Sequence, residues 1–254
     1  MIRRALLLLA LVLVAAPASA ERLIISVSSS RVLITSSYTG AELVLFGVIE
    51  RDGASVSRAG PYDIVVTVRG PATQITVREK ARLGPIWVNA AQRKYAGLPG
   101  YLAIHSSRPM DQVTSEQLRE RFLFSLADTI AAKGGGPPVD ARAAHFNDAL
   151  LRLKTAANLF QANDKGVVFL SPNLFRAAIS LPATAPLGNY EAIVTLLSDG
   201  APLATEKTDF EVVKTGFEAR VALAAAMQPW LYGLVTVLIA IGFGWLANYA
   251  FRRD

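Results

Sequence analysis

The chain has 254 residues, 52% hydrophobic and only 18% charged, with two histidines, no cysteine and a formal net charge of +6. The absence of cysteine excludes a disulfide framework, a thiolate nucleophile and Cys-ligated zinc or iron–sulfur sites. A soluble domain usually carries about a quarter charged residues, so a mean hydropathy of +0.35 means that part of this chain is built for apolar surroundings.

The first part of that excess lies at the N-terminus. Arg3 and Arg4 form a basic start, residues 5–14 are an apolar run, and Pro17 precedes Ala18-Ser19-Ala20, an A-x-A cleavage site. This is the layout of a signal peptide over 1–20, with Glu21 as the mature N-terminus. The uncharged stretch is shorter than the ~20 residues that span a bilayer.

Short strands with turn punctuation follow. Residues 23–27 and 31–35 flank a serine turn, and 41–49 runs to a turn at Arg51-Asp52-Gly53. Residues 61–68 alternate and end at Gly70-Pro71, 73–80 alternate polar with apolar, and 87–88 and 101–104 complete the set. Strands about every ten residues, without helical periodicity between them, predict a β-sandwich.

The pattern changes at Pro109. Thr114-Ser115-Glu116-Gln117 reads as a capping box, followed by Leu118, Phe122, Leu126 and Ile130 at four-residue spacing. Lys133, Gly134-Gly135-Gly136 and Pro137-Pro138 break that helix. Asp140 then caps a second one carrying Phe146, Leu150, Leu153, Ala157 and Phe160. The expectation is an inserted helical hairpin over about 112–162.

Strand signals return at 166–170, 174–179, 190–197 and 208–213, with Ser198-Asp199-Gly200-Ala201 as a hairpin. Pro186 and Gly188 just before Tyr190 resemble the E–F corner of an immunoglobulin-like sandwich, where a tyrosine hydroxyl bonds back to the backbone. The expected fold class is therefore mainly β: one immunoglobulin-like sandwich over 21–215 interrupted by the hairpin. About four late strands are too few to stand alone, which disfavours two domains split near 110.

After a juxtamembrane segment, 216–229, no Asp, Glu, Lys or Arg occurs from 230 to 251. Those 22 residues would make a helix ~33 Å long, enough to span with some tilt. Trp230, Tyr232, Trp245 and Tyr249 mark its ends as interfacial aromatics do, and Arg252-Arg253 beyond it read as the cytoplasmic side. Within it, Ala240 and Gly244 form a small-xxx-small pair, with Gly242 and Asn248 nearby, spacing that allows close helix approach.

These segments reassign the charge. Residues 21–228 hold 22 Lys/Arg against 19 Asp/Glu, a net of only +3. The basic excess is largely topogenic, and nucleic acid is not an expected partner.

Several blocks resemble a known family: Arg58 to Pro71, Gly84-Pro85-Ile86-Trp87-Val88-Asn89, His105-Ser106-Ser107-Arg108-Pro109, Phe169-Leu170-Ser171-Pro172, and the segment from Pro229 to Asp254. Together they resemble an alphaproteobacterial family of transmembrane proteins of unknown function. The resemblance covers nearly the whole mature chain. It implies an inner-membrane protein with a periplasmic domain. It also implies an accessory role beside permeases of the sulfite-exporter type, and it carries no catalytic residues.

The residues themselves offer little chemistry. His105 lies beside Ser106 and Ser107, but neighbours on a strand point to opposite faces, and no G-x-S-x-G elbow occurs. His145 falls on a helix face. The two histidines are 40 positions apart without metal-ligand spacing. Asp140, Asp148 and Asp164 lack a calcium-loop pattern, and the 134–136 glycines precede prolines rather than a phosphate-binding lysine. No enzyme activity, cofactor or metal is expected.

Residues 84–108 are the richest segment. Trp87, Asn89, Arg93, Lys94, Tyr95, Tyr101, His105 and Arg108 combine aromatic faces with donors suited to an anion or a protein partner. The same residues also read as a longer sandwich loop with Trp87 and Tyr101 in the core. The function expected is a non-enzymatic, membrane-anchored periplasmic accessory protein that docks a membrane or periplasmic protein. The alternative is a binding module for a small anion or envelope glycan.

Overall fold

The computed structural model describes residues 21–35, 39–50, 61–133, 140–215 and 217–251. The predicted signal peptide, the 51–53 turn, the glycine–proline loop and the 252–254 tail lie outside them. Among the described residues strand content is 49% against 31% helix, the mainly β class expected from the strand and turn spacing.

One sheet holds β1 (Arg22–Val27), β3 (Gly40–Glu50), β10 (Leu174–Pro182) and β9 (Val167–Phe169), in the antiparallel order β1-β3-β10-β9. The other begins with β2 (Arg31–Ile34), parallel to β12 (Ala201–Lys214), then β11 (Gly188–Ser198), β4 (Tyr62–Arg69) and β7 (Leu102–Ser106). A short β8 (Phe160–Asn163) closes that sheet, parallel to β7.

Alternation decides which residues fill the space between the sheets. On β3, Leu43, Leu45 and Ile49 point inward, and on β10 Phe175, Ala177, Ile179 and Leu181 do so. They meet Ile64, Val66 and Val68 of β4, Ala192, Val194 and Leu196 of β11, and Phe210 and Val212 of β12 in one core. The strand order is compatible with the immunoglobulin-like expectation. The Tyr190 hydroxyl donates to the Pro186 carbonyl at 2.6 Å, as the corner reading requires.

A second core covers the outside of the six-stranded sheet. Val65, Leu102, Ile104 and Leu197 face away from the first core and pack with Ile130, Phe146 and Leu150 of the helical insertion. This explains why β4, whose sequence was expected to alternate as a half-buried strand does, is instead buried on both faces, with Ile64-Val65-Val66 an unbroken apolar run.

The insertion departs from a simple two-helix hairpin. It contains α1 (Met110–Val113), α2 (Glu116–Phe122), α3 (Leu126–Lys133) and α4 (Ala141–Ala156). The expected capping box does not form: Ser115 is the N-cap without a side-chain bond, and Thr114 Oγ1 instead donates to the Gly200 carbonyl at 2.8 Å. Leu123 adopts a left-handed conformation, φ 56°, and splits the first helix while Phe124 turns into the core. Asp140 does cap α4, accepting from the Ala143 amide at 2.6 Å. That helix ends before Phe160, which opens β8, and Leu153 lies exposed.

Residues 72–99, where strands were expected at 73–80 and 87–88 and a longer loop from 84, form one long hairpin of β5 (Ala72–Leu83) and β6 (Ile86–Pro99). After β12 come α5 (Phe217–Met227) and α6 (Pro229–Phe251). No residue of α6 is buried, and its best window has a mean hydropathy of 1.9. Its Thr236 hydroxyl is satisfied within the helix by the Tyr232 carbonyl at 2.8 Å, as a lipid-facing polar group must be.

Candidate functional site

Arg108 is not free to receive an anion. It follows β7 at the sheet edge, where its guanidinium forks onto both carboxylate oxygens of Asp63, with Nε at 2.8 Å from Oδ1. Asp63 is 2% exposed. The Ser107 hydroxyl also donates to Asp63 Oδ1 at 2.9 Å and accepts from the Ile64 amide. The hydrogen bond to Asp63 raises the Arg108 pKa further above its ordinary value. The arrangement pins β7 to β4.

His105 and Ser106 lie on opposite faces of β7. His105 pairs in register with Val66 of the inter-sheet core, and Ser106 with Val65 of the outer core. His105 is 4% exposed, its Nδ1 has no hydrogen-bond partner, and a Cβ on Gly166 would come within 2.7 Å of the ring. Burial holds its pKa below the ordinary value, so the imidazole is neutral. His145 is exposed on α4.

Tyr101 belongs to the core. Its hydroxyl donates to the Ser180 carbonyl at 2.8 Å, and its ring lies 5.7 Å from that of Tyr190. Tyr95 is buried at the base of the β5–β6 hairpin, where its hydroxyl donates to Asn147 Oδ1 of α4 at 2.8 Å. Burial raises the Tyr95 pKa, partly offset by Arg93, whose guanidinium sits 5.4 Å over the ring. Trp87 and Asn89 are far out on the hairpin, with Trp87 67% exposed.

The eight residues read as one surface therefore separate: Tyr101 and His105 lie in the inter-sheet core, Tyr95 packs under the helical layer, Arg108 is held by Asp63, and Trp87, Asn89, Arg93 and Lys94 lie along the hairpin. Trp87, offered as a core aromatic in the loop reading, is not one, whereas Tyr101 is.

Two further surfaces were not singled out from the sequence. A polar cleft of about 780 Å³ lies between the edge strand β8 of the six-stranded sheet and the adjoining ends of β3 and β10, lined by Glu42, His105, Asn158, Gln161, Asn163 and Ser180. The other is the outer face of the four-stranded sheet. Ile24 is opposite Val48, and Val48 is opposite Leu174; in the next row Phe46 is opposite Arg176, which is opposite Val168. Ile24, Phe46, Val48 and Val168 are each at least 40% exposed. The signal was present in β3, whose residues 43–49 are apolar on both parities although only one parity faces the core.

Among the described residues, no group of three or more His, Cys, Asp or Glu side chains converges as a metal site. What the surfaces offer is recognition: an apolar sheet face, a polar cleft and a projecting hairpin.

A mainly β body followed by an apolar helix with no buried residue, the single candidate span among the described residues, is the layout of a membrane-associated protein. The chain belongs to the family described as "Putative transmembrane protein (Alph_Pro_TM)", which matches residues 22–253. No curated protein matches it significantly.

Proposed function

We propose that this is a non-enzymatic accessory protein: an immunoglobulin-like domain exported to the periplasm, held at the inner membrane by α6, with its C-terminus in the cytoplasm. It works by docking another envelope protein. The observation that carries the docking reading is the outer face of the four-stranded sheet, where Ile24, Phe46, Val48 and Val168 are exposed in adjacent rows. Contiguous exposed apolar surface on a folded domain marks an interaction site more often than isolated apolar residues do. The family resemblance makes a permease of the sulfite-exporter type the first partner to test.

The experiment replaces Phe46 with a photo-crosslinking benzoylphenylalanine in the full chain and irradiates intact membranes. A discrete protein adduct that disappears when the crosslinker is moved to the core position Leu45 supports docking. Absence of any adduct at residues 46, 48 and 168 refutes it.

The polar cleft beside His105 favours a second reading, a binding module for a small anion or an envelope glycan. Its carboxylate, amide and imidazole groups suit hydroxyl-rich ligands better than the dispersed 84–108 residues do. A thermal-shift panel of anions and oligosaccharides, with Asn163→Ala as control, tests it; a flat panel rejects it.

A further inference from the structure

The β5–β6 hairpin has two unlike faces. Register places Ala81, Leu83, Ile86 and Val88 on one side of its outer half, continuing the row that buries Val77 and Tyr95 at its base. The base of that row is covered by the helical layer, but the outer end is not: Leu83 and Ile86 are 66% and 57% exposed. The opposite face carries Arg78, Lys80, Arg82 and Lys94, all exposed, together with Trp87. At the tip, Gly84 sits at φ +62°, and Arg82 Nε donates to its carbonyl at 3.0 Å, holding a tight turn.

Charge identifies the occupant. Residues 72–99 contain five Lys/Arg and one Asp/Glu, a net of +4, whereas residues 21–228 as a whole sum to +3. The hairpin therefore holds more than the entire basic excess, and the remainder is slightly acidic. An apolar tip with an indole beside it and a collar of cations behind it complements an anionic bilayer surface. Apolar side chains enter the acyl boundary, Trp sits at headgroup level, and Lys and Arg reach back to phosphates. Tethering by α6 keeps the tip at high effective concentration near such a surface.

We propose that the β5–β6 hairpin is a second, reversible membrane contact that inserts Leu83, Ile86 and Trp87 into an anionic lipid surface. This rests on the α6 anchor and not on the identity of any docked protein.

The test uses the full chain in nanodiscs of phosphatidylcholine with or without phosphatidylglycerol, with brominated acyl chains as quencher. The chain has three tryptophans, so Trp87 is read as the difference between wild type and Trp87→Phe. Quenching of Trp230 and Trp245 reports the anchor independently. The expected result is that brominated lipid removes roughly half or more of the Trp87 signal in anionic discs, and that Lys80→Glu/Arg82→Glu or high salt reverses this. Because the chain lacks cysteine, Ile86→Cys carrying an environment-sensitive dye gives a second readout, expected to shift to the blue in the same discs. Unquenched, iodide-accessible Trp87 in anionic discs, with Trp230 and Trp245 quenched, overturns the proposal and leaves the anchor intact. Protein crosslinks at residue 86 without lipid quenching assign the tip to a protein and overturn it equally.

Discussion

Arg108→Ala separates a structural guanidinium from a ligand-binding one. Removing one partner of a buried ion pair costs about 3–5 kcal/mol, because the other charge is left without compensation. Asp63 is buried here, but the Arg108 side chain is 43% exposed, so water entering the vacated space recovers part of that loss. Ser107 also keeps its bond to Asp63. A destabilisation of about 2 kcal/mol follows, which for a domain of this size lowers Tm by about 4–8 °C. The assay is thermal unfolding of the full chain in detergent, followed by the β-sheet circular dichroism signal. Asp63→Asn removes the charge that Arg108 compensates, so adding Arg108→Ala on that background should cost much less than it does alone. An unchanged Tm for Arg108→Ala would refute the pinning role and return the guanidinium to the pool of anion donors.

The remaining predictions concern other parts of the framework. Gly47→Ala places a Cβ 2.2 Å from the Phe175 ring, an overpacking expected to cost about 2 kcal/mol in a urea titration. Tyr190→Phe removes the 2.6 Å bond to the Pro186 carbonyl and should lower Tm by about 2–4 °C. His105 is held neutral by burial, with its pKa depressed, while the unfolded chain takes up the proton near the ordinary pKa of about 6.5. Its contribution to stability is therefore present above that pH and lost as pH falls toward the depressed folded value. Melting curves from pH 7.5 to 5 should show this slope reduced in His105→Gln. Leu238→Arg, at the middle of α6, carries an insertion penalty of about 3 kcal/mol and should raise the fraction of chain extracted by carbonate.

Much of the fold was legible because simple periodicities governed it. Apolar β-prone runs bounded by turns set strands at 41–49 and 174–179, Ser198-Asp199-Gly200-Ala201 set a hairpin, and Pro186, Gly188 and Tyr190 pointed to the bond from the Tyr190 hydroxyl to the Pro186 carbonyl. The apolar helix was legible from composition alone. What failed were elements decided by tertiary contact. Leu118, Phe122, Leu126 and Ile130 fit one helix in spacing, yet the chain breaks at Leu123 so that Phe124 enters the outer core. Phe160 extends the α4 stripe in sequence but is taken by β8, where pairing with Leu102 supplies backbone bonds the helix would forgo. The candidate site was least legible because proximity in sequence does not give proximity in space. Arg108 and Asp63 are 45 positions apart, and no local pattern announces that the second neutralises the first.

The two exposed apolar surfaces differ in their charge surroundings, and that difference assigns them different roles. Across the outer rows of the four-stranded sheet the charges are few and of both signs, with Arg22 opposite Glu50 beside the Ile24–Val48 row and Arg176 between Phe46 and Val168, so the face is suited to a partner of ordinary apolar–polar composition. The hairpin tip is backed by Arg78, Lys80, Arg82 and Lys94, a field that favours a dense array of phosphates over a mixed protein surface. The surfaces are also on different sides of the body. The sheet face is the outermost surface of one layer, while the hairpin is rooted in the helical layer packed beyond the other sheet. On the proposed reading, lipid and protein contacts therefore need not compete. Disabling the hairpin with Lys80→Glu/Arg82→Glu should leave crosslinking from residue 46 intact, and loss of both together would show that the sheet face is presented to its partner only when the hairpin holds the domain against the membrane.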